Sequence, residues 1–352
     1  MAQAKPKVER GPAVAGLDLG ADRVRAVVGH REAAALRVTG VGRSPVRAGA
    51  LTGGLVVDRD AVGAAVASAL ASASPRDHPA RIVAIIDGDD VRTYHIATTF
   101  EREGVGHPIT PGEVARAMAE ARAEAERTAR EAALNDPALR GIAAVQLRDD
   151  VASLAVDGRV LGEVVGFQGR FVEVRTDVAL APLVLASAAT SALDAAKHRG
   201  TVASGAYALG RLLAASGVEE GGILRLGPDV TALAVIRAGR VVATRAFGLG
   251  RDALLARTDG SPSGAEVWAR CVVAPLPALE GQLPARWHIV GVPDELVALP
   301  RALGDALAAQ RGGDVEIVPL RAALASRVFA VEPLHAEDLA AAAAAALAAE
   351  VS

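Results

Sequence analysis

The chain has 352 residues, 51% of them hydrophobic, which is enough for two domains of ordinary size with substantial cores. Its 38 basic and 41 acidic residues give a formal charge of -3 with both signs interspersed, and the basic block that nucleic-acid binding requires is missing. The single cysteine, Cys271, excludes an intramolecular disulfide and suits a reducing cytoplasm. Residues 1–11 carry Lys5, Lys7 and Arg10 without the apolar run of a signal peptide and are read as a flexible N-terminus. The longest weakly polar stretch, 178–192, contains Pro182 and falls short of the ~20 apolar residues of a membrane span. A cytoplasmic location is therefore expected, with any recruitment to the inner face of the membrane made by partners. The abundance of alanine and arginine is read as compositional bias without functional weight.

In chain order, residues 14–28 read as an apolar strand, a turn at Gly20 and a second strand, hence a β-hairpin. A third strand is predicted over 36–43, a helix over 58–73 and a strand over 81–86. Asp87-Gly88-Asp89-Asp90 looks like a fragment of a calcium loop but lacks the later glutamate ligand, and reads as a turn. A long helix is predicted over 110–133, opened by Thr110 as N-cap, Pro111 in the first turn and Glu113 completing a capping box. Strands follow at 142–147, 151–156 and 171–180, with turns expected at Asp149-Asp150 and Asp157-Gly158, and then a helix over 183–197.

The second half repeats the opening. Leu17-Asp18-Leu19-Gly20-Ala21-Asp22 followed by a strand lines up with Leu224-Arg225-Leu226-Gly227-Pro228-Asp229 followed by a strand. The second copy continues through a strand over 240–247, a short Pro-rich stretch over 260–284, a strand over 287–290 that meets Gly291, a helix over 300–311, a strand over 315–318 and an Ala-rich tail helix over 336–350. Two hairpin-led α/β units imply a pseudo-symmetric, two-lobed molecule with a cleft between the copies. Glycine in a tight hairpin turn lets backbone N–H groups approach a phosphate, and two such turns facing each other can clamp a polyphosphate.

Gly16-Leu17-Asp18-Leu19-Gly20, Val41-Gly42-Arg43-Ser44-Pro45-Val46-Arg47-Ala48-Gly49, Gly54-Leu55-Val56-Val57-Asp58 and Ile109-Thr110-Pro111-Gly112-Glu113-Val114 together resemble the bacterial cell-division family FtsA, strongly before Gly217 and weakly after it. The resemblance implies an α/β, actin-like two-lobed fold related to ribonuclease H, with an inserted α+β subdomain of the SHS2-like kind in the first lobe. Carried onto this chain, it places the first lobe at 12–80 plus 170–199, the insert at 81–169, and a reduced second lobe at 200–352 whose outer subdomain is largely deleted around 260–285. It also implies a Mg-ATP cleft. On that reading Asp18, Gly20, Ala21, Asp22, Arg225, Gly227, Asp229 and Gly291 line a degenerate nucleotide site. It further implies division partners, an FtsZ-like filament and later components, and self-association into an oligomer or filament.

The cleft motifs depart from the family pattern in three places. Ala21 and Asp22 stand where a hydroxyl-bearing pair is usual. Arg225 and Pro228 replace a metal-linked carboxylate and a phosphate-binding N–H, and Val292-Pro293 follows Gly291 in the adenosine turn. Losing donors and a carboxylate together removes most of what phosphoryl transfer relies on, so a pseudo-ATPase scaffold without catalytic residues is expected, with binding of ATP and Mg left open. Pseudo-symmetry also sets Asp18 and Arg225 at equivalent positions of facing hairpins, where they are able to pair across the cleft. The histidines show no paired ligand spacing, so no metal site is expected. Residues 341–349 lack bulky anchors and basic residues, so no autonomous membrane anchor is expected either. The other readings are an active actin-like ATPase or kinase, and a pilus adaptor similar to PilM, whose relatives bind a peptide of a membrane partner.

Overall fold

The computed structural model describes residues 11–74, 78–88, 90–258, 262–276, 282–320, 324, 326–330 and 334–350. The charged N-terminal stretch 1–10, Asp89, and parts of the Pro-rich stretch lie outside the described residues.

The chain opens with β1 (Ala13–Leu19), β2 (Arg23–Glu32) and β3 (Ala35–Pro45), then a two-residue-strand hairpin, β4 (Leu51–Thr52) and β5 (Leu55–Val56), α1 (Arg59–Ala73) and β6 (Arg81–Ile86). A separate sheet follows, built from β7 (Arg92–Glu101), α2 (Pro111–Ala133), β8 (Ala144–Val156), β9 (Arg159–Leu161) and β10 (Phe171–Pro182). Then come α3 (Leu183–Ala195), β11 (Thr201–Ser204), α4 (Gly205–Ala215), β12 (Gly221–Leu226), β13 (Thr231–Arg237), β14 (Arg240–Phe247), α5 (Arg251–Thr258) and α6 (Pro262–Val273). The last elements are β15 (Arg286–Val290), α7 (Ala298–Arg311), β16 (Glu316–Pro319), β17 (Val328–Ala330) and α8 (Leu339–Glu350).

The two large sheets share one topology. The first runs β11-β6-β1-β2-β3-β17 and the second β14-β13-β12-β15-β16. In both, the first three strands form an antiparallel meander, and the next two add in parallel beside the first strand. Gly20 and Gly227 close the two leading hairpins, each donating its N–H to the residue three ahead, Arg23 and Val230. The inserted sheet, ordered β7-β10-β8-β9, carries α2 on one face. The N-terminus of α2 has the full capping box: Thr110 N–H donates to Glu113 at 2.8 Å, and Glu113 N–H donates to the Thr110 hydroxyl at 3.2 Å.

One expectation needs correcting. The turn at Asp149-Asp150 does not exist, because β8 runs through it and pairs with β10 along its length, with bulges absorbing the irregularity. An Asp-Asp pair has no glycine to supply the positive φ of a tight hairpin, and both carboxylates find arginines instead: Asp149 with Arg122 at 3.3 Å and Asp150 with Arg148 at 2.6 Å. The Pro-rich stretch also holds regular structure. Its described part carries α6, which packs Trp268 into the second-lobe core together with Trp287 of β15. The helix α4 has no counterpart in the sequence reading; Ser204 caps it by accepting from Tyr207 N–H.

Between the two sheets lie α4 and α8, in one hydrophobic cluster that takes Val14, Val27 and Ile85 from the first lobe and Ile223, Ala232 and Ile236 from the second. The alanines of α8 are a packing device. They present so little side chain that the helix lies directly on β1, where a Cβ at Gly16 would sit 2.0 Å from the Ala341 carbonyl oxygen and 2.2 Å from the Ala345 nitrogen. Gly16→Ala would ordinarily favour a strand, since it removes unfolded-state freedom. Here it must push α8 away, and we expect a loss of about 3 kcal/mol, at the upper end of overpacking costs, in urea unfolding. An unchanged midpoint would contradict the close approach of α8 to β1.

Candidate functional site

Asp18 is the penultimate residue of β1 and Arg225 the penultimate residue of β12. Their parallel neighbours correspond too: Asp18 lies beside Ile85 and Arg225 beside Val290. Pseudo-symmetry therefore brings them face to face. Arg225 Nη2 donates to both Asp18 oxygens at 2.6 and 2.7 Å, and Nη1 donates to Asp87 Oδ2 at 2.6 Å. Asp87 follows the end of β6, and its other oxygen accepts the Ala206 N–H in the first turn of α4 at 3.0 Å. The side chains are 2, 7 and 12% exposed for Asp18, Asp87 and Arg225, so little water screens them.

Burial works against the Arg225 charge, but Asp18 and Asp87 outweigh it and hold the guanidinium above its ordinary range. Burial raises the Asp87 carboxyl above the usual carboxylate range, and the attraction of Arg225 and the Ala206 N–H offset this only in part.

The cluster continues along the first hairpin. Arg25 on β2, itself 2% exposed, stands 3.8 Å from Asp18, 3.1 Å from Asp22 and 2.9 Å from Glu337. Arg251, the first residue of α5 in the second lobe, reaches Asp22 at 2.7 Å and Glu337 at 3.6 Å. Burial alone would raise the Asp22 carboxyl; Arg25 and then Arg251 outweigh it and hold it low. Asp87, Arg225, Asp18, Arg25, Asp22 with Glu337, and Arg251 thus form one chain of alternating charge that crosses between the lobes three times.

The remaining expected site residues sit around this chain. Ala21 packs against the first-lobe core. Asp229, in the second hairpin turn, accepts the N–H of Gly53 from the β4–β5 turn, so that turn spans the lobes above the ion cluster. Gly54 needs to be glycine, with φ +82° and a Cβ that would lie 2.3 Å from the Asp87 carbonyl oxygen. Gly291 has φ +83° and packs on β12, where a Cβ would lie 2.3 Å from the Leu226 carbonyl oxygen.

No family model matches the sequence, and no curated protein matches it. Among solved structures, a PilM–PilN type IV pilus biogenesis complex superposes with TM-score 0.60 at 21% identity, over 96% of this chain and 98% of that one. The ethanolamine utilization protein EutJ from Carboxydothermus hydrogenoformans gives TM-score 0.47 at 15% identity, over 97% of this chain and 92% of that one. A Bacteroides thetaiotaomicron protein described as having an actin-like ATPase fold gives 0.43 at 8%, over 94% and 95%. The fold of this chain is actin-like.

An actin-like cleft is where Mg-nucleotide is expected, and the residues present do not fit a magnesium polyphosphate. The N–H groups of Gly20 and Gly227 are spent within their own turns, that of Arg23 on Asp22 at 2.8 Å, and Pro228 has none. The two carboxylates best placed for a metal already bind a guanidinium. Sequence reasoning missed Arg25, Asp87, Arg251 and Glu337. Asp87 was readable in principle, since it ends a strand parallel to β1 and strand ends on that side form the crevice of such sheets. Glu337 and Arg25 are 312 positions apart, and no local pattern links them.

Arg225→Met leaves two buried carboxylates facing each other, so it should cost about 3–5 kcal/mol at pH 7 in urea unfolding. Asp87 has a raised folded-state pKa, and losing Arg225 raises it further. The folded variant then takes up a proton more readily than the unfolded chain, and its deficit should shrink as pH falls from 7 to 5. A deficit below about 1 kcal/mol at pH 7 is what an exposed pair would give, and would contradict a buried one.

Proposed function

We propose that this chain is an actin-like adaptor whose lobes are held together by its own side chains, and that it works as a protein scaffold without nucleotide turnover. The observation that carries this reading is Arg225 seated between Asp18 and Asp87, with no partner outside the chain needed to join the two hairpins. An active ATPase or kinase would require that arginine to leave two carboxylates, and would still lack the N–H donors of the hairpin turns.

Two settings are in play, both of them assemblies of several proteins. A division scaffold of the FtsA type is supported by the segments 16–20, 41–49, 54–58 and 109–114, and would bring an FtsZ-like filament, later division components and self-association as partners. A pilus adaptor of the PilM type is supported by the overlap with the PilM–PilN complex along nearly the whole of both chains. Among the described residues no helix is long and apolar enough to cross a membrane.

The test is thermal unfolding of the purified chain with millimolar Mg-ATP and Mg-ADP. A ligand present at its dissociation constant already adds about 0.4 kcal/mol. We expect less than that from either nucleotide; saturable stabilisation, lost in Asp18→Ala, would overturn the nucleotide-independent reading. Co-purification from cells then separates the settings, by recovery of division or of pilus components.

A further inference from the structure

One end of the first sheet carries an excess of positive charge. The parallel strands β1, β6 and β11 all start there, while the opposite ends of β1 and β6 lead to Asp18 and Asp87, about 20 Å away. Arg81 opens β6, and the register that sets Thr201 beside Val83 brings Arg199, two residues before β11, to the same level, with Lys197 just ahead of it. On the other side of β1, the β2–β3 turn adds two more cations. Arg31 Nε donates to the Ala33 carbonyl at 3.1 Å, and Arg327 Nη1 donates to the Ala34 carbonyl at 2.7 Å.

The carboxylates at this end do not balance these cations. Glu32 is paired with Arg37, and Glu350, next to the Ala349 carbonyl that Arg31 also reaches, is paired with Arg211. Asp194, near the end of α3, is exposed. Among the described residues, Arg31, Arg81, Lys197, Arg199 and Arg327 have no carboxylate partner, so five cations stand against one free carboxylate. The fold does not dictate this excess, because the corresponding end of the second sheet has both signs: Glu219 and Glu220 precede β12, and Arg286 of β15 pairs with Glu316 of β16. The row runs from β3 to β11 across five adjacent strands, about 20 Å in all. At its β3 end Phe329, 52% exposed, stands opposite Arg37, so a bulky apolar side chain lies beside the cations.

We propose that this end of the first lobe rests on an anionic lipid surface. Strand ends set the cations along a line, and a planar surface meets all of them at once, which a small ion cannot do. Unpaired lysine and arginine side chains lose no internal partner on binding, and an aromatic side chain beside them suits the headgroup boundary. The contact is electrostatic and reversible, unlike an inserted anchor. It turns the ion-paired cleft away from the membrane and leaves the inserted subdomain free for protein partners. This inference goes beyond the scaffold reading and does not depend on it.

The test is co-sedimentation of the full chain with vesicles of phosphatidylglycerol and phosphatidylcholine in equal parts, against vesicles of phosphatidylcholine alone. Binding is expected on the anionic vesicles at about 0.1 M salt, and should be lost at about 0.5 M, where screening shortens the reach of each charge. Each cation at such a surface adds about fivefold to partitioning, so Lys197→Gln with Arg199→Gln should weaken binding about 25-fold. Both residues are exposed and unpaired, so this variant should fold normally. Arg31→Gln with Arg81→Gln is the second variant, with a loss in the same direction. Arg116→Gln with Arg140→Gln removes the same charge from exposed positions of the inserted subdomain and should leave binding unchanged. Equal binding to both kinds of vesicle, no binding at about 0.1 M salt, or an equal loss in the Arg116 and Arg140 control would overturn the proposal. Capture on immobilised polyglutamate without vesicle binding would also overturn it, and would give the row to an acidic protein.

Discussion

A guanidinium taken out of water has to be met by carboxylates, and Arg225 is met by two that both belong to the facing lobe. That requirement orders the centre of the molecule. Asp18 can serve Arg225 and Arg25 together only because Arg25 is in turn shared with Asp22 and Glu337, and Asp22 is held by Arg251 from the far side. Removing Arg225 leaves Asp87 without a counterion in a poorly hydrated site, whereas the other members share partners. The lobes are thus joined where an actin-like cleft usually opens, and the joining groups are all parts of the chain.

The closure also rests on small residues. The helix α8 fits between the sheets because its side chains are nearly all methyl groups and because Gly16 removes the one Cβ in its path. The segment just before α8 supplies Glu337 to Arg25 and Asp338, fully buried, to Arg43. The C-terminal stretch therefore contributes apolar packing on one side and counterions on the other. The composition that looks like genomic bias in the sequence does structural work at this one place.

Much of this was legible from the chain alone, for identifiable reasons. The repeated Leu-x-Leu-Gly-x-Asp pattern is a local signal, and a duplicated hairpin-led unit has few ways to pack; hence the two-lobed α/β fold and the facing of Asp18 and Arg225 followed from it. The Thr110–Glu113 capping box is equally local. What escaped was non-local. The Asp149-Asp150 turn failed because β8 pairs with β10 straight through it, with Arg122 of α2 meeting Asp149 and Arg148 of the same strand meeting Asp150. Asp87 looked like an isolated turn residue until β6 was placed beside β1. The His95–Asp177–Tyr207 relay joins three elements that only tertiary packing brings together.

The central claim is that the lobes are closed by internal ion pairs and not by a nucleotide. The most direct measurement is a pulsed electron-resonance distance distribution between spin labels on the exposed residues Val57 of the first lobe and Val297 of the second, in a Cys271→Ser background. The account predicts one narrow distance, unchanged by Mg-ATP and broadened by Arg225→Met. A broad distribution in the unliganded wild type that narrows when Mg-ATP is added would contradict it.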